Sequence, residues 1–398
     1  MTTTTEREAA QEYLRKLFRF FARTQTQGRS QLHTLLSETV ATDDALLQLL
    51  MDTPASQRRP SLLFAAVNHL LRDRTEHRLA AYYPIHGGDR PVDDQAPAAL
   101  QAFCAEHADE LRELLLTRST QTNEIRRCFA LRLGLSRIAA HWSGPLALLE
   151  IGASAGLNLH FDDYGYRLGN RLVQPKDGAP VTLSSVVRGG GPVHELLGEL
   201  PAVTYRIGAD LEPVELSADP EAGPWLEAFI WPEQVRELAT LRAAINLSRR
   251  EPHRLVRADA VQDTARLIAE VPEELPVVVF TASLLSYLDA QARARFIAQL
   301  STAARSRRVA WLFTEAPGLV ARTDVTVPGL AGSLRDVGDV YSVGISLRDG
   351  AGHQDELLAL ADPYVEWIAP ARTEADDFSW AVAEGLYQPA AATGGGDK

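Results

Sequence analysis

The residues best placed to do chemistry fall in one short run, Leu148-Leu149-Glu150-Ile151-Gly152-Ala153-Ser154-Ala155-Gly156-Leu157-Asn158-Leu159. An apolar stretch ends in a carboxylate, a glycine-rich turn follows, and helical sequence leaves it. Gly152 lets the chain turn sharply and lets a ligand come close to the backbone. A helix expected over Ala155–Phe161 would offer free N–H groups at its start. In dinucleotide enzymes that arrangement holds a pyrophosphate. Glu150 would repel one, and suits the cationic end of a ligand instead. Gly152-Ala153-Ser154-Ala155-Gly156 also fits G-x-S-x-G, the turn that carries a nucleophilic serine. In that reading His86-Gly87-Gly88 supplies the oxyanion loop, His353 the base, and Asp324 or Asp339 the acid. Three points weigh against it. The turn follows the first recognisable strand, the oxyanion loop sits in helical sequence, and Glu150 would disfavour an oxyanion.

The elements around this run position further acids. Leu146–Ile151 reads as a buried strand, followed by Val203–Ile207, His253–Arg257, Val277–Phe280 and Val309–Phe313. Ile345-Ser346-Leu347 and Glu366-Trp367-Ile368 read as a final antiparallel pair, giving seven strands in all. Helices expected at Ala260–Ile268 and Ala290–Leu300 alternate with the strands, which implies right-handed βαβ units and a mostly parallel sheet. Asp210 follows the second strand, where a ribose needs an acceptor, with Glu212 and Glu215 as fallbacks. Asp210 lies well beyond the usual spacing of about 20 residues, so an insertion near 166–201 is expected. Asp259 follows the third strand, and Ser283 the fourth.

Residues 1–142 read as a separate all-helical domain, with apolar residues at helical spacing such as Leu14, Leu17, Phe18 and Phe21. Asn123 or Thr122 is expected to cap a helix running through Ile125, Phe129, Leu133 and Ile138. Asn123 and Arg126 would then lie near the mouth of the glycine-rich loop, making the helical domain a lid that selects the substrate. Residues 143–388 form the second domain, and 389–398 a disordered tail.

Composition excludes several classes. The chain of 398 residues is 45% hydrophobic and 23% charged, so a packed core is expected. Net charge is −12, concentrated after residue 140. An acidic body repels phosphate backbones, so no nucleic-acid partner is expected. The three lysines, Lys16, Lys176 and Lys398, complete no phosphate-binding G-x-x-x-x-G-K run. Cys104 and Cys128 have no metal-ligand spacing, and His160-Phe161-Asp162-Asp163 reads as the polar end of a helix rather than a metal site. No stretch approaches the roughly 18 apolar residues of a membrane span. Met1–Arg7 lacks an apolar signal core, so a cytoplasmic protein acting on a small molecule is expected. No feature specifies an oligomer.

The pattern apolar-apolar-Glu-Ile-Gly-x-Ser-x-Gly resembles the first motif of class I methyltransferases. Arg58-Arg59-Pro60-Ser61-Leu62-Leu63-Phe64-Ala65-Ala66-Val67, Thr120-Gln121-Thr122-Asn123-Glu124, Glu150–Leu159 and the Ser286-Tyr287-Leu288 region resemble a bacterial family, domain of unknown function 2332. That family is grouped with Rossmann-like methyltransferase folds, and the resemblance runs from about residue 10 to 385. It implies S-adenosylmethionine as cofactor, held by Glu150, Gly152, Ser154, Gly156 and Asn158. Asp210 would take the ribose, Asp259 the adenine amino group, and Ser283 would lie beside cofactor and substrate. Asn123, Arg126 and Tyr287 are the substrate-binding candidates, and no catalytic residue is assigned. The alternative on the same fold is a binding protein without catalysis.

Overall fold

The structure is a computed structural model that describes residues 4–121, 123–175, 178–188, 197–316, 319 and 340–370. The expected tail at 389–398, and Asp324, Asp339 and Thr122, lie outside these residues. The chain forms two compact units: Met1–Thr122 with Leu216–Ile245, and Asn123–Glu215 with Asn246–Lys398.

The first unit is helical: Thr4–Phe21, Gln31–Thr42, Asp44–Met51, Pro60–Leu71, Ala96–Glu106 and Ala108–Thr117, joined by Ala222–Glu227. Its helix starts follow local chemistry. Ser30 Oγ accepts the His33 N–H, and Asp43 Oδ1 accepts those of Ala45 and Leu46, satisfying donors that a helix leaves open. Pro60 occupies a first-turn position, where its missing N–H costs nothing. Leu14, Phe18, Leu36, Leu63, Phe64 and Phe103 form the core, completed by Trp225 and Ala228 from the second stretch of chain. Asn68 Nδ2 joins that stretch by donating to the Ala228 and Ile230 carbonyls.

The second unit is mixed α/β, built on one eleven-stranded, mostly parallel sheet. Its strands are β1 (Leu146–Ile151), β2 (Gly165–Leu168), β3 (Arg171–Val173), β4 (Thr182–Val187), β5 (Val203–Asp210) and β6 (Arg254–Arg257). They continue with β7 (Val277–Ala282), β8 (Val309–Glu315), β9 (Tyr341–Asp349), β10 (Gly352–Ala361) and β11 (Trp367–Pro370). The order is β3-β2-β4-β11-β10-β9-β8-β7-β1-β5-β6. The five parallel strands β6-β5-β1-β7-β8 therefore run 3-2-1-4-5 in chain order, reversing direction at β1. Near-continuous apolar runs, such as the fully buried β1 and β8, reflect strands covered on both faces.

Several expectations change. Among the described residues the sheet has eleven strands, against the seven expected. The part of 166–201 that is described supplies β2 to β4, which extend the sheet through a parallel pairing of β4 with β11. The strands holding Ile345 and Trp367 do not pair with each other; β10 lies between them. No α-helix follows β1, only a 3-10 turn, Leu157–His160, because the chain heads straight into β2. Asn123 caps no helix. A 3-10 turn, Ile125–Arg127, precedes the helix Cys128–His141, and Glu124 accepts the Arg126 N–H at its start. The segment from Asn123 to Trp142, read with the helical domain, belongs to the sheet unit.

Candidate functional site

In an open α/β sheet, ligands bind outside the carboxyl ends of the strands where the order reverses. Here that place is the loop leaving β1. Ala209 O of β5 accepts the N–H groups of Gly152 (2.8 Å) and Ala153 (3.0 Å), tying the loop to its neighbour strand. Gly152, Ser154 and Gly156 have φ of 82°, 48° and 70°. Glycine adopts this left-handed conformation freely, whereas a serine is strained in it, and such strain gathers at functional sites. Ser154 is held on several sides: its N–H donates to Asp210 Oδ2 at 2.8 Å, its Oγ accepts from Asn123 Nδ2 at 2.8 Å, and its carbonyl accepts the Val214 N–H at 3.0 Å.

Below the loop lies a buried polar chain. Cys128 Sγ donates to Asn158 Oδ1 (3.2 Å), and Asn158 Nδ2 donates to Glu150 Oε1 (2.8 Å). Glu150 Oε2 and Asn123 Oδ1 are buried acceptors with no hydrogen-bond partner among the described residues. Burial pushes the Glu150 carboxyl well above its ordinary value and the Asp210 charge adds to this, while the Asn158 amide pulls it back. Burial thus favours the protonated form of Glu150 unless a cation sits beside it.

The remaining acids are partly engaged. Asp210 Oδ1 accepts the Glu212 N–H at 2.9 Å. Asp259 Oδ1 accepts the Val261 and Gln262 N–H groups and stabilises the turn after β6. Each still has acceptor capacity, because a carboxylate offers about four lone-pair sites. Ser283, at the end of β7, has φ 67° and shares a 2.9 Å hydrogen bond with Tyr341 Oη on β9. Tyr287 is 61% exposed in the 3-10 turn that follows. Arg126 sits in the turn before the Cys128–His141 helix, half-buried.

Two further groups, Arg127 and Glu315, stand outside any motif of the sequence. Arg127, next to the chosen Arg126, directs its guanidinium at the sheet: Nε donates to Pro363 O (3.2 Å), Nη1 to Ala282 O (3.4 Å), and the group lies 5.5 Å from the Tyr341 ring centroid. The helical period Arg127, Leu131, Gly134, Leu135, Ile138 was the available signal. Glu315, the last residue of β8, accepts the N–H groups of Leu284 and Leu285, each at 3.0 Å, and so fixes the exit from β7. Burial raises its carboxyl to about 7, against the pull of Thr281, those two N–H groups and the Arg127 charge.

The serine-nucleophile constellation does not assemble around His353. His353 pairs with Arg348, Arg348 with Val309, and Val309 with Val277, so it lies level with the start of β7, at the opposite edge of the sheet from Ser154. His86 is bonded to Asn68 in the helical unit (2.6 Å). Among the described residues no group of three His, Cys, Asp or Glu side chains is arranged to hold a metal. His160 instead meets His253 at 3.3 Å, and Asp162 pairs with Arg206. No helix among the described residues is long and apolar enough to cross a membrane.

No curated protein matches the chain. One family model does, over residues 15–369, that of DUF2332, described as an uncharacterized protein conserved in bacteria. With that match covering most of its length, the chain belongs to the DUF2332 family.

Proposed function

We propose that the sheet unit binds S-adenosylmethionine at the carboxyl ends of β1, β5, β6 and β7, and that the protein is methyltransferase-like, acting on a small molecule. The observation that carries this is Glu150 Oε2, a buried carboxyl oxygen without a partner directly beneath the Gly152–Gly156 loop. An isolated buried carboxylate is costly. A ligand bearing an ammonium or sulfonium would supply the missing charge, which a pyrophosphate cannot do. Asp210 would accept from ribose hydroxyls and Asp259 from the adenine amino group. Asn123 fixes Ser154, and Gly152 takes the left-handed turn that a residue with a Cβ resists. When bound, the cofactor supplies an electrophilic methyl group; the residues named here bind and orient it.

Isothermal calorimetry with S-adenosylhomocysteine tests the reading. Binding at micromolar levels is expected. Gly152→Val should abolish it, because a side chain there meets Leu284 and is strained at φ 82°. Binding of NAD or FAD with no response to S-adenosylhomocysteine overturns the proposal.

A further inference from the structure

On the β7–β10 side of the same edge lies a second cluster, built from Arg127, Ser283, Tyr341 and their neighbours. Arg127 is a half-buried cation with no carboxylate within ion-pair distance among the described residues. Its nearest hydrogen-bond acceptors are two backbone carbonyls, Pro363 O and Ala282 O. They use Nε and one Nη1 hydrogen, so of the five guanidinium N–H donors three remain, one on Nη1 and two on Nη2. An Nη1/Nη2 pair of donors can grip a carboxylate with two parallel bonds. The carbonyls and the Tyr341 ring fix the guanidinium plane before any ligand arrives.

The guanidinium stays charged because Glu124 and the tyrosines around it outweigh the cost of its burial. Arg127 is the N-cap residue of the fourteen-residue helix Cys128–His141, where the helix dipole disfavours a cation. The surrounding acids are occupied otherwise: Glu315 by the Leu284 and Leu285 N–H groups, Glu124 by the Arg126 N–H, and Asp362 by those of Tyr364, Glu366 and Trp367. Beside the guanidinium stand Tyr341 and the strained Ser283, with Tyr287 and Tyr364 near enough to act on its charge.

We infer that Arg127, with Ser283 and Tyr341, forms a subsite for a small monocarboxylate carried on a flat ring. The arginine fork takes the carboxylate, and the tyrosine rings flank the ring system. A single positive charge among acids, on a chain of net charge −12, balances one negative charge and not the near-double charge of a phosphate monoester. This names the acceptor class for the methyltransferase-like reading and so rests on it for its role, while the subsite can be tested by itself.

The test uses the full-length protein and three probes of like shape: benzoate, benzamide and phenyl phosphate, titrated by ligand-observed NMR. Benzoate should bind at least tenfold more tightly than either other probe. Arg127→Gln should reduce benzoate binding at least tenfold while S-adenosylhomocysteine affinity changes less than threefold. The wild-type ranking needs no variant, so poor folding of Arg127→Gln leaves the test intact. Benzamide or phenyl phosphate binding as tightly as benzoate, or a folded Arg127→Gln protein that keeps its benzoate affinity, overturns the inference. Benzoate binding without any S-adenosylhomocysteine binding removes the cofactor proposal and leaves the subsite standing.

Discussion

At Glu150 burial couples protonation to stability. The fold raises its carboxyl above the ordinary value of 4.5, chiefly by burial. Above that pH the unfolded chain gives up the proton while the folded chain keeps it. The contribution to stability, fully present below about 4.5, is therefore lost as pH rises toward the folded value. Glu315, raised to about 7, adds a second loss between 4.5 and 7. Glu150→Gln removes only the first. Urea midpoints at pH 5 and pH 8 should fall less in the variant than in wild type; equal falls would show that Glu150 titrates normally. Ser154 makes a contrasting case. Its Oγ accepts from an amide, which cannot take a proton, so Ser154→Ala should weaken S-adenosylhomocysteine binding by about 0.5–1.5 kcal/mol, one hydrogen bond. Covalent labelling of Ser154 by a fluorophosphonate, lost in the variant, would instead establish a nucleophile.

At the scale of elements, the five parallel strands were legible because each is a short apolar run between turn signals. β10 was not. Its first half, His353-Gln354-Asp355-Glu356, is polar, and only Leu357–Ala361 is apolar. β2 to β4 are short, with buried and exposed positions mixed, and carry too little periodicity to register. The helix expected after β1 failed for a local reason: Gly156 turns left-handed and the Asn158 side chain is drawn down to Glu150, so Leu157–His160 closes only a 3-10 turn. The helix Cys128–His141 was legible, but not its close seat on β8. A Cβ at Gly134 would stand 2.0 Å from Leu312 Cδ1. Gly134→Ala should cost about 1–3 kcal/mol through overpacking, less about 1 kcal/mol regained in helix propensity. Leu312→Ala should cost about 2–5 kcal/mol alone. Combined, the two should cost clearly less than their sum, because each relieves the other. Strict additivity in denaturant melts would show that the contact is not tight.

The whole molecule divides differently from its sequence texture. The helical unit ends at Thr122, short of the residue 142 expected, and takes back Leu216–Ile245 much later in the chain. No periodicity reveals such a return, because it depends on what the segment packs against. Phe21 and His33 meet Trp231 at 6.5 and 6.0 Å, and Ser30 Oγ donates to Glu233 at 3.0 Å. A fragment ending at residue 142 lacks Trp225, Phe229 and Trp231. Buried Trp225 alone is worth about 3–5 kcal/mol, and with the half-buried Phe229 and Trp231 its loss takes much of a stability of about 5–15 kcal/mol. The fragment should lack a cooperative thermal transition, whereas residues 1–122 fused to 216–245 should show one. A sharp transition in the shorter fragment would mean that the returning segment is dispensable.

The pairing of β4 with β11 also has a consequence in time. Val186 and Val187 align with Trp367 and Ile368, partners about 180 residues apart in the chain. At about 5–20 residues per second, a ribosome takes roughly 10–40 s to make that stretch. Throughout that interval β2, β3 and β4 have left the exit tunnel with one side of β4 unpaired, a row of open N–H and C=O groups that invites other strands. Val186, 57% exposed, and Val187, 41%, stand on that strand. Synthesis itself thus sets the period in which a nascent chain is most prone to join its neighbours on the polysome, and the last described strand to be made ends it.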